Sequence, residues 1–218
     1  QGEIREKQIA AGLLTASEIN RVFAGNASTI AEMGAGDVVS FQDIRGTEQS
    51  LKLARSPKQT KMIDGSTKIG TVVVGAGYSA FVGQELFPVL EDMEHGGVKV
   101  WRPVESYAAA GTVMMDEIGK ISSTRFVEVE DMIKYGGAGA LTTDSTDDTG
   151  VDNMYVSGTN YDVFPILYVG SDSFGTIGFE GDVARVNTVM PTADAHNDIK
   201  NKKGVVAISW YHGLLIYR

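Results

Sequence analysis

The stretch Thr71-Val72-Val73-Val74-Gly75-Ala76-Gly77-Tyr78-Ser79-Ala80 decides how this chain is read. A strand followed by Gly-x-Gly-x-x-Ala is how a flavin or nicotinamide site begins. Its glycines allow a tight turn and a close approach of backbone to a pyrophosphate at a helix N-terminus. That chemistry demands a helix straight afterwards, then a second strand with an acid about 20 residues on. Tyr78 to Val82 instead reads as strand, and Gly83 and Pro88 interrupt the residues that follow. Glu94 falls near the required offset but lies in a loop, before any second strand. We therefore read Gly75-Ala76-Gly77 as a hairpin turn between strands at Lys68 to Val74 and Tyr78 to Val82. A dinucleotide-binding enzyme is the alternative.

On the N-terminal side, Ile4, Ile9, Leu13, Ile19 and Phe23 space roughly as one stripe, which predicts a helix over residues 2 to 24 that stops at Gly25-Asn26. Thr15-Ala16-Ser17-Glu18 has capping-box spacing for a restart. A second helix is predicted from its cap, Ser40, to about Arg55. Asp43 suits the dipole of its first turn, Phe41, Ile44 and Leu51 form its apolar face, and Pro57 ends it. Gly46 inside it costs about 1 kcal/mol relative to Ala.

On the C-terminal side, Pro88 fits the first turn of a helix ending near Met93. Glu94 to Gly97 reads as loop and Val98 to Trp101 as extended. Pro103 opens a short Ala-rich helix closed by Gly111. Arg125 to Glu130 largely alternates polar with apolar, which predicts a strand with one solvated face. Gly136 to Asp152 reads as a flexible loop of Gly, Thr and Asp. Phe164 to Val169 reads as a buried strand, Gly175 to Phe179 as another, and Val205 to Tyr217 as one long closing strand. Residues 191 to 204 are polar and turn-rich. There is no internal repeat.

The 218 residues suffice for one large domain or two small ones, and 43% of them are apolar. A chain of this size can bury roughly 70% of its unfolded surface. The net charge of −9 argues against sequence-specific binding to a DNA duplex. The absence of cysteine excludes disulfides, thiolate metal sites and cysteine nucleophiles. No apolar run approaches the roughly 18 residues of a membrane span. The chain opens on Gln1 without a signal-peptide pattern, so we expect it to begin partway into a longer coding sequence.

Other motifs read blandly. Asp144, Asp147, Asp148 and Asp152 lack the turn glycine and the twelfth-position Glu of a calcium loop. His95, His196 and His212 have no metal-ligand spacing, and no Gly-x-Ser-x-Gly elbow exists. Lys52, Arg55, Lys58 and Lys61 form a small basic cluster, read first as a solvated face and second as a salt-bridging surface for a neighbouring subunit. Nothing in these residues calls for a cofactor, a metal or a catalytic residue.

Five collinear blocks carry a family resemblance: SPKQTKMIDGSTKIG at 56–70, GAGYSAFVGQELFPVLEDM at 75–93, RPVESYAAAGTVMMDEIGKISSTRFVEVEDMIKYGGAGA at 102–140, DVFPILYVGSDSFGTIGFEG at 162–181 and KKGVVAISWYHGLLIYR at 202–218. Together they resemble the podovirus-type major capsid proteins of tailed bacteriophages, from near Val39 to Arg218. The resemblance implies an α+β chain of the Hong Kong 97 type. In that fold a spine helix crosses a peripheral domain, an axial domain sits over a mixed sheet, and strands return to the periphery. It implies a peripheral domain with the spine helix at 1–57, an axial domain at 58–180 and return strands at 181–218. The family carries an N-terminal arm and an extended β-hairpin loop before the spine, so an upstream segment is expected.

The function so implied is structural rather than enzymatic: a subunit that self-assembles into the icosahedral shell of a virion, around a double-stranded DNA genome held without sequence-specific contact. The implied partners are copies of itself in hexamers and pentamers, with the upstream fragment, portal, scaffolding or decoration proteins. No membrane is implied. A cellular compartment shell of the same fold is a further alternative. Aromatic and Arg anchors dominate such contacts, and Trp101, Arg102 and Tyr107, clustered near a loop and a helix start, are the candidate subunit-interface residues. Trp101 reads equally well as a core anchor.

Overall fold

The computed structural model describes residues 2–15, 21–63, 71–107, 113–142, 155–177, 184–190, 204–210 and 213–217. The chain divides into two compact units, Gln1–Ser173 and Phe174–Arg218. Both helices and sheet are present, an α+β composition.

In the first unit, helix α1 spans Gly2–Thr15 and helix α2 spans Phe41–Leu53. Strands β1 (Gln59–Ile63) and β2 (Thr71–Gly83) follow, then a 3-10 turn and the short helix α3 (Phe87–Glu91). Next come β3 (Glu94–His95), β4 (Val98–Lys99), β5 (Arg102–Pro103), β6 (Glu117–Ile121) and β7 (Thr124–Val129). The unit closes with β8 (Val156–Ser157), β9 (Asn160–Tyr161) and β10 (Leu167–Val169).

Helix α2 forms where its cap predicts. Ser40 Oγ accepts from the Asp43 N–H, and Asp43 Oδ2 accepts from the Ser40 N–H at 2.9 Å, a complete capping box. Helix α1 is shorter than its stripe predicts, for Arg21 to Phe23 are not helical. The Arg21 guanidinium donates to the Leu14 carbonyl, so a side chain satisfies a carbonyl that continued helix would have used, and the Thr15 hydroxyl bonds back to the Ala11 carbonyl in the last turn. The restart expected at Thr15-Ala16-Ser17-Glu18 falls, beyond Thr15, outside the described residues. Pro88 stands in the first turn of α3, as its fixed φ favours.

The main sheet is mixed, in the order β1-β2-β7-β6-β5, with β10 also paired to β2. Strands β2 and β7 are parallel, with Ala80 opposite Phe126; the other pairings are antiparallel. Both faces are covered. Ala80, Val82 and Phe126 join Ile44 of α2, Leu90 of α3, Met93, Trp101 and Ile121 in one core cluster. Val74 and Val127 pack with Met114 and Phe81 in another. The solvated face expected of Arg125 to Glu130 is thus absent at its start: Thr124 to Val127 are all buried, since a strand between two neighbours under two apolar layers has no free face. The predicted strand at Phe164 to Val169 is realised only as β10.

In the second unit, β11 (Phe174–Ile177) pairs with β14 (Gly213–Ile216), and β12 (Ala184–Val189) with β13 (Val205–Trp210). The closing run is therefore two strands with different partners. The β12–β13 ribbon leaves Val186, Val189, Val205, Val206 and Ile208 exposed.

Candidate functional site

The Gly75-Ala76-Gly77 turn expected from the sequence does not exist. Strand β2 runs through it without interruption, and no helix N-terminus follows. The glycines serve packing instead. A Cβ at Gly75 would collide with the Arg125 guanidinium, and one at Gly77 would stand 2.8 Å from the Ser123 carbonyl oxygen. Their missing side chains let Arg125 lie across β2 and let the Tyr78 N–H reach Ser123 O at 3.0 Å. A pyrophosphate cradle needs the turn and helix dipole together, and this segment offers neither.

A candidate surface lies at the other end of that contact, where the β6–β7 turn meets α2. Glu48, on the face of α2 toward the sheet, is almost fully buried. It accepts the Ser123 hydroxyl and backbone N–H and pairs with Lys52 one turn along the helix. Burial alone would raise its pKa. The bonds from Lys52, Ser123 and Ser122 outweigh burial and hold it below the ordinary 4.5.

Around this carboxylate opens a cleft of about 610 Å³, lined by Lys52, Lys58, Lys99, Arg102 and Lys120 together with Glu48 and several uncharged residues. Five cations to one carboxylate is unexpected on a chain of net charge −9. Sheet register explains the densest part. Arg102 of β5 stands directly opposite Lys120 of β6, so both side chains leave the same face. Lys120 lies over the Tyr107 ring, 4.2 Å from its centroid, and Lys58 over that of Tyr78 at 5.9 Å. Lys99 pairs with Asp92 at 3.2 Å on the β3–β4 hairpin, whose Gly96-Gly97 turn has positive φ at both positions. Arg102 forms no ion pair among the described residues.

The three candidate interface residues are neighbours in different environments. Arg102 is exposed in the cleft. Tyr107 adjoins it through Lys120 and donates its hydroxyl to Glu117 Oε1 at 2.6 Å. Burial, then the carboxylate it donates to, pushes that hydroxyl's pKa up. Trp101 is only 8% exposed, with Phe126 at 5.6 Å and Phe87 edge-on at 6.1 Å between ring centroids. Of the basic cluster, Lys52 and Lys58 line the cleft. Lys99, Lys120 and Glu48 were not singled out from sequence, because only strand pairing and the α2 contact bring them together. His95 stacks on Phe41 with centroids 4.8 Å apart. The helix predicted after Pro103 is a 3-10 turn over Val104–Ser106; its Ala-rich part lies outside the described residues. So do His196, His212, Asp144, Asp147, Asp148 and Asp152. Among the described residues no group of three or more His, Asp or Glu could hold a metal, and no helix is long and apolar enough to cross a membrane.

No known family profile matches the chain. The major capsid protein of Pseudomonas phage KPP21 is 30% identical to it over 224 aligned residues, 99% of this chain. The chain is a relative of a phage major capsid protein. It spans about half that relative's length, 55%. The aligned span takes in the whole basic cleft and the β12–β13 ribbon, so both lie in the part this chain shares with the capsid protein.

Proposed function

We propose that this chain is the shell-forming part of a tailed-phage major capsid protein, a structural subunit rather than an enzyme, that assembles with copies of itself into an icosahedral shell around double-stranded DNA in the virion. The observation that carries this reading is the likeness to a phage major capsid protein along essentially the whole chain. The exposed apolar residues of the β12–β13 ribbon support it. A two-stranded ribbon is at best marginally stable alone in water, and such surface is characteristic of a contact surface.

The finer reading is the Hong Kong 97 type fold, with the peripheral domain and spine helix at 1–57, the axial domain at 58–180 and the return strands at 181–218. Hexamers and pentamers of this chain would form the shell, with the upstream segment and portal, scaffolding or decoration proteins as further partners. Its mixed sheet flanked by helices supports this assignment. Within it, Arg102 is the interface anchor, Tyr107 orients Lys120 beside it, and Trp101 contributes through its edge on the core. Arg102→Ala should lower particle yield and leave subunit melting nearly unchanged; equal loss of both would make Arg102 a folding residue.

Negative-stain microscopy of the native full-length protein tests the main reading. Closed shells of uniform diameter are expected, with ultraviolet absorbance showing packaged nucleic acid. Dispersed small particles would overturn the shell assignment. Uniform shells free of nucleic acid and holding protein cargo would make it a cellular compartment instead.

A further inference from the structure

We propose that the basic cleft is a socket for a neighbouring copy of this chain, and that Glu128 and Glu130 of that copy fill it, head to tail. This contact rests on the shell reading and specifies one of its interfaces.

Arg102 and Lys120 face each other directly across two antiparallel strands. Like charges in that relation repel, and among the described residues no carboxylate of the same chain lies between them. The one acid lining the cleft, Glu48, is already engaged by Lys52 and Ser123. The cleft therefore lacks an anion, and on a chain of net charge −9 another copy is an abundant source of one.

Strand β7 supplies it in a defined place. The β6–β7 turn, Ser122-Ser123, lines the cleft, and β7 leaves that turn as a strand whose first four residues are buried. Six residues at about 3.3 Å each carry it roughly 20 Å away. There Glu128 stands near the end of the strand and Glu130 in the turn just past it. Glu130 is exposed, and neither acid forms an ion pair among the described residues, whereas the adjacent Asp131 pairs with Lys7. Strand β7 thus starts beside the cationic socket and ends where the two carboxylates stand. Complementary patches at different places on one molecule make a heterologous contact, which closes into rings when the rotation permits. A DNA duplex fits less well, because its phosphates call for an extended basic stripe rather than one compact cleft.

The test is charge exchange in the full-length protein, read by sedimentation, microscopy and subunit melting. Arg102→Glu with Lys120→Glu should cut assembly about tenfold or more, as should Glu128→Lys with Glu130→Lys, since like-charge contacts replace attraction. The four changes together should restore assembly to within a few-fold of wild type. Arg102→Gln is the milder probe should the double reversal melt early, and it should lower assembly with melting unchanged. Wild-type yield from the cleft variants overturns the proposal, as does failure of the combined variant when it melts normally. Loss of nucleic acid content alone would assign the cleft to nucleic acid and also overturn it. Wild-type self-association without closed shells, still reversed and restored by the exchange, would sink the shell reading and keep this contact. No wild-type self-association would overturn both.

Discussion

Arg125 and Glu117 form an ion pair inside the main sheet, with Nη1 3.0 Å from Oε2 and the glutamate side chain wholly shielded from solvent. Glu117 also accepts from Tyr107 and from the Met114 N–H, so its lone pairs are well supplied. Removing one partner of such a pair strands a buried charge, at about 3–5 kcal/mol. Arg125→Met should therefore lower urea stability by about that much, and adding Glu117→Leu should recover part of it. A loss under 1 kcal/mol would show the pair to be solvated.

Gly77→Ala should destabilise the first unit by about 1–3 kcal/mol, the range for overpacking, because the new methyl meets the Ser123 backbone oxygen and not a movable side-chain tip. Thermal melting reads this directly. Were the segment a cofactor cradle, the wild type would bind dinucleotides and the variant would not; titration calorimetry should find no such binding to lose.

Loss of the α2 cap offers a cleaner local probe. Ser40→Ala removes the hydroxyl that accepts from Asp43 N–H and should cost about 1 kcal/mol. Ser40→Gly should cost only a few tenths. Equal costs would show that backbone strain, not the cap bond, sets the energy.

Acid should loosen the α2–turn junction. The folded pKa of Glu48 is depressed, so its contribution is complete above the ordinary 4.5 and disappears as pH falls through the lower folded value. Asp162 acts in the same direction: burial opposes its charge, but bonds from the Gly137 N–H, Ser157 and Lys134 outweigh burial. Stability should be flat above about pH 5 and fall below it. In Glu48→Gln that fall should be shallower, with Asp162 left to account for the rest; an unchanged slope would dismiss Glu48 as a contributor.

Tyr168 presents the opposite case. Its hydroxyl is buried without a hydrogen-bond partner among the described residues. An unsatisfied buried hydroxyl costs about 1–3 kcal/mol, so Tyr168→Phe should leave stability unchanged or raise it. A marked loss would point to a bound water on that oxygen.

Local chemistry was legible in the sequence where a few adjacent residues settle it. Ser40 with Asp43 marked the start of α2, and Pro88 marked α3. Gly75-Ala76-Gly77 misled because its cause is remote: the glycines answer to Arg125 and Ser123, which reach β2 only once β7 has paired alongside. The solvated face predicted for β7 failed for a similar reason, since alternation records which residues are polar and not that Glu117 would neutralise Arg125 beneath an apolar layer. The single closing strand became two because each half has its own partner. Of the cleft, Arg102, Lys52 and Lys58 stood out as charges, but their meeting with Lys99 and Lys120 depends on register that no local pattern encodes.

Strand β2 has a consequence for the order of events in folding. It must find β7 on one side and place Phe81 opposite Leu167 of β10 on the other. Helix α2 can nucleate on its own cap, whereas these pairings close long loops first and are correspondingly slow. A nascent chain is thus expected to carry an exposed, apolar β2 until residue 169 has left the ribosome, the interval in which a chaperone would find most to hold. Pulse-labelled hydrogen exchange should accordingly show α2 amides protected before those of β2; simultaneous protection would mean that the sheet condenses in one step.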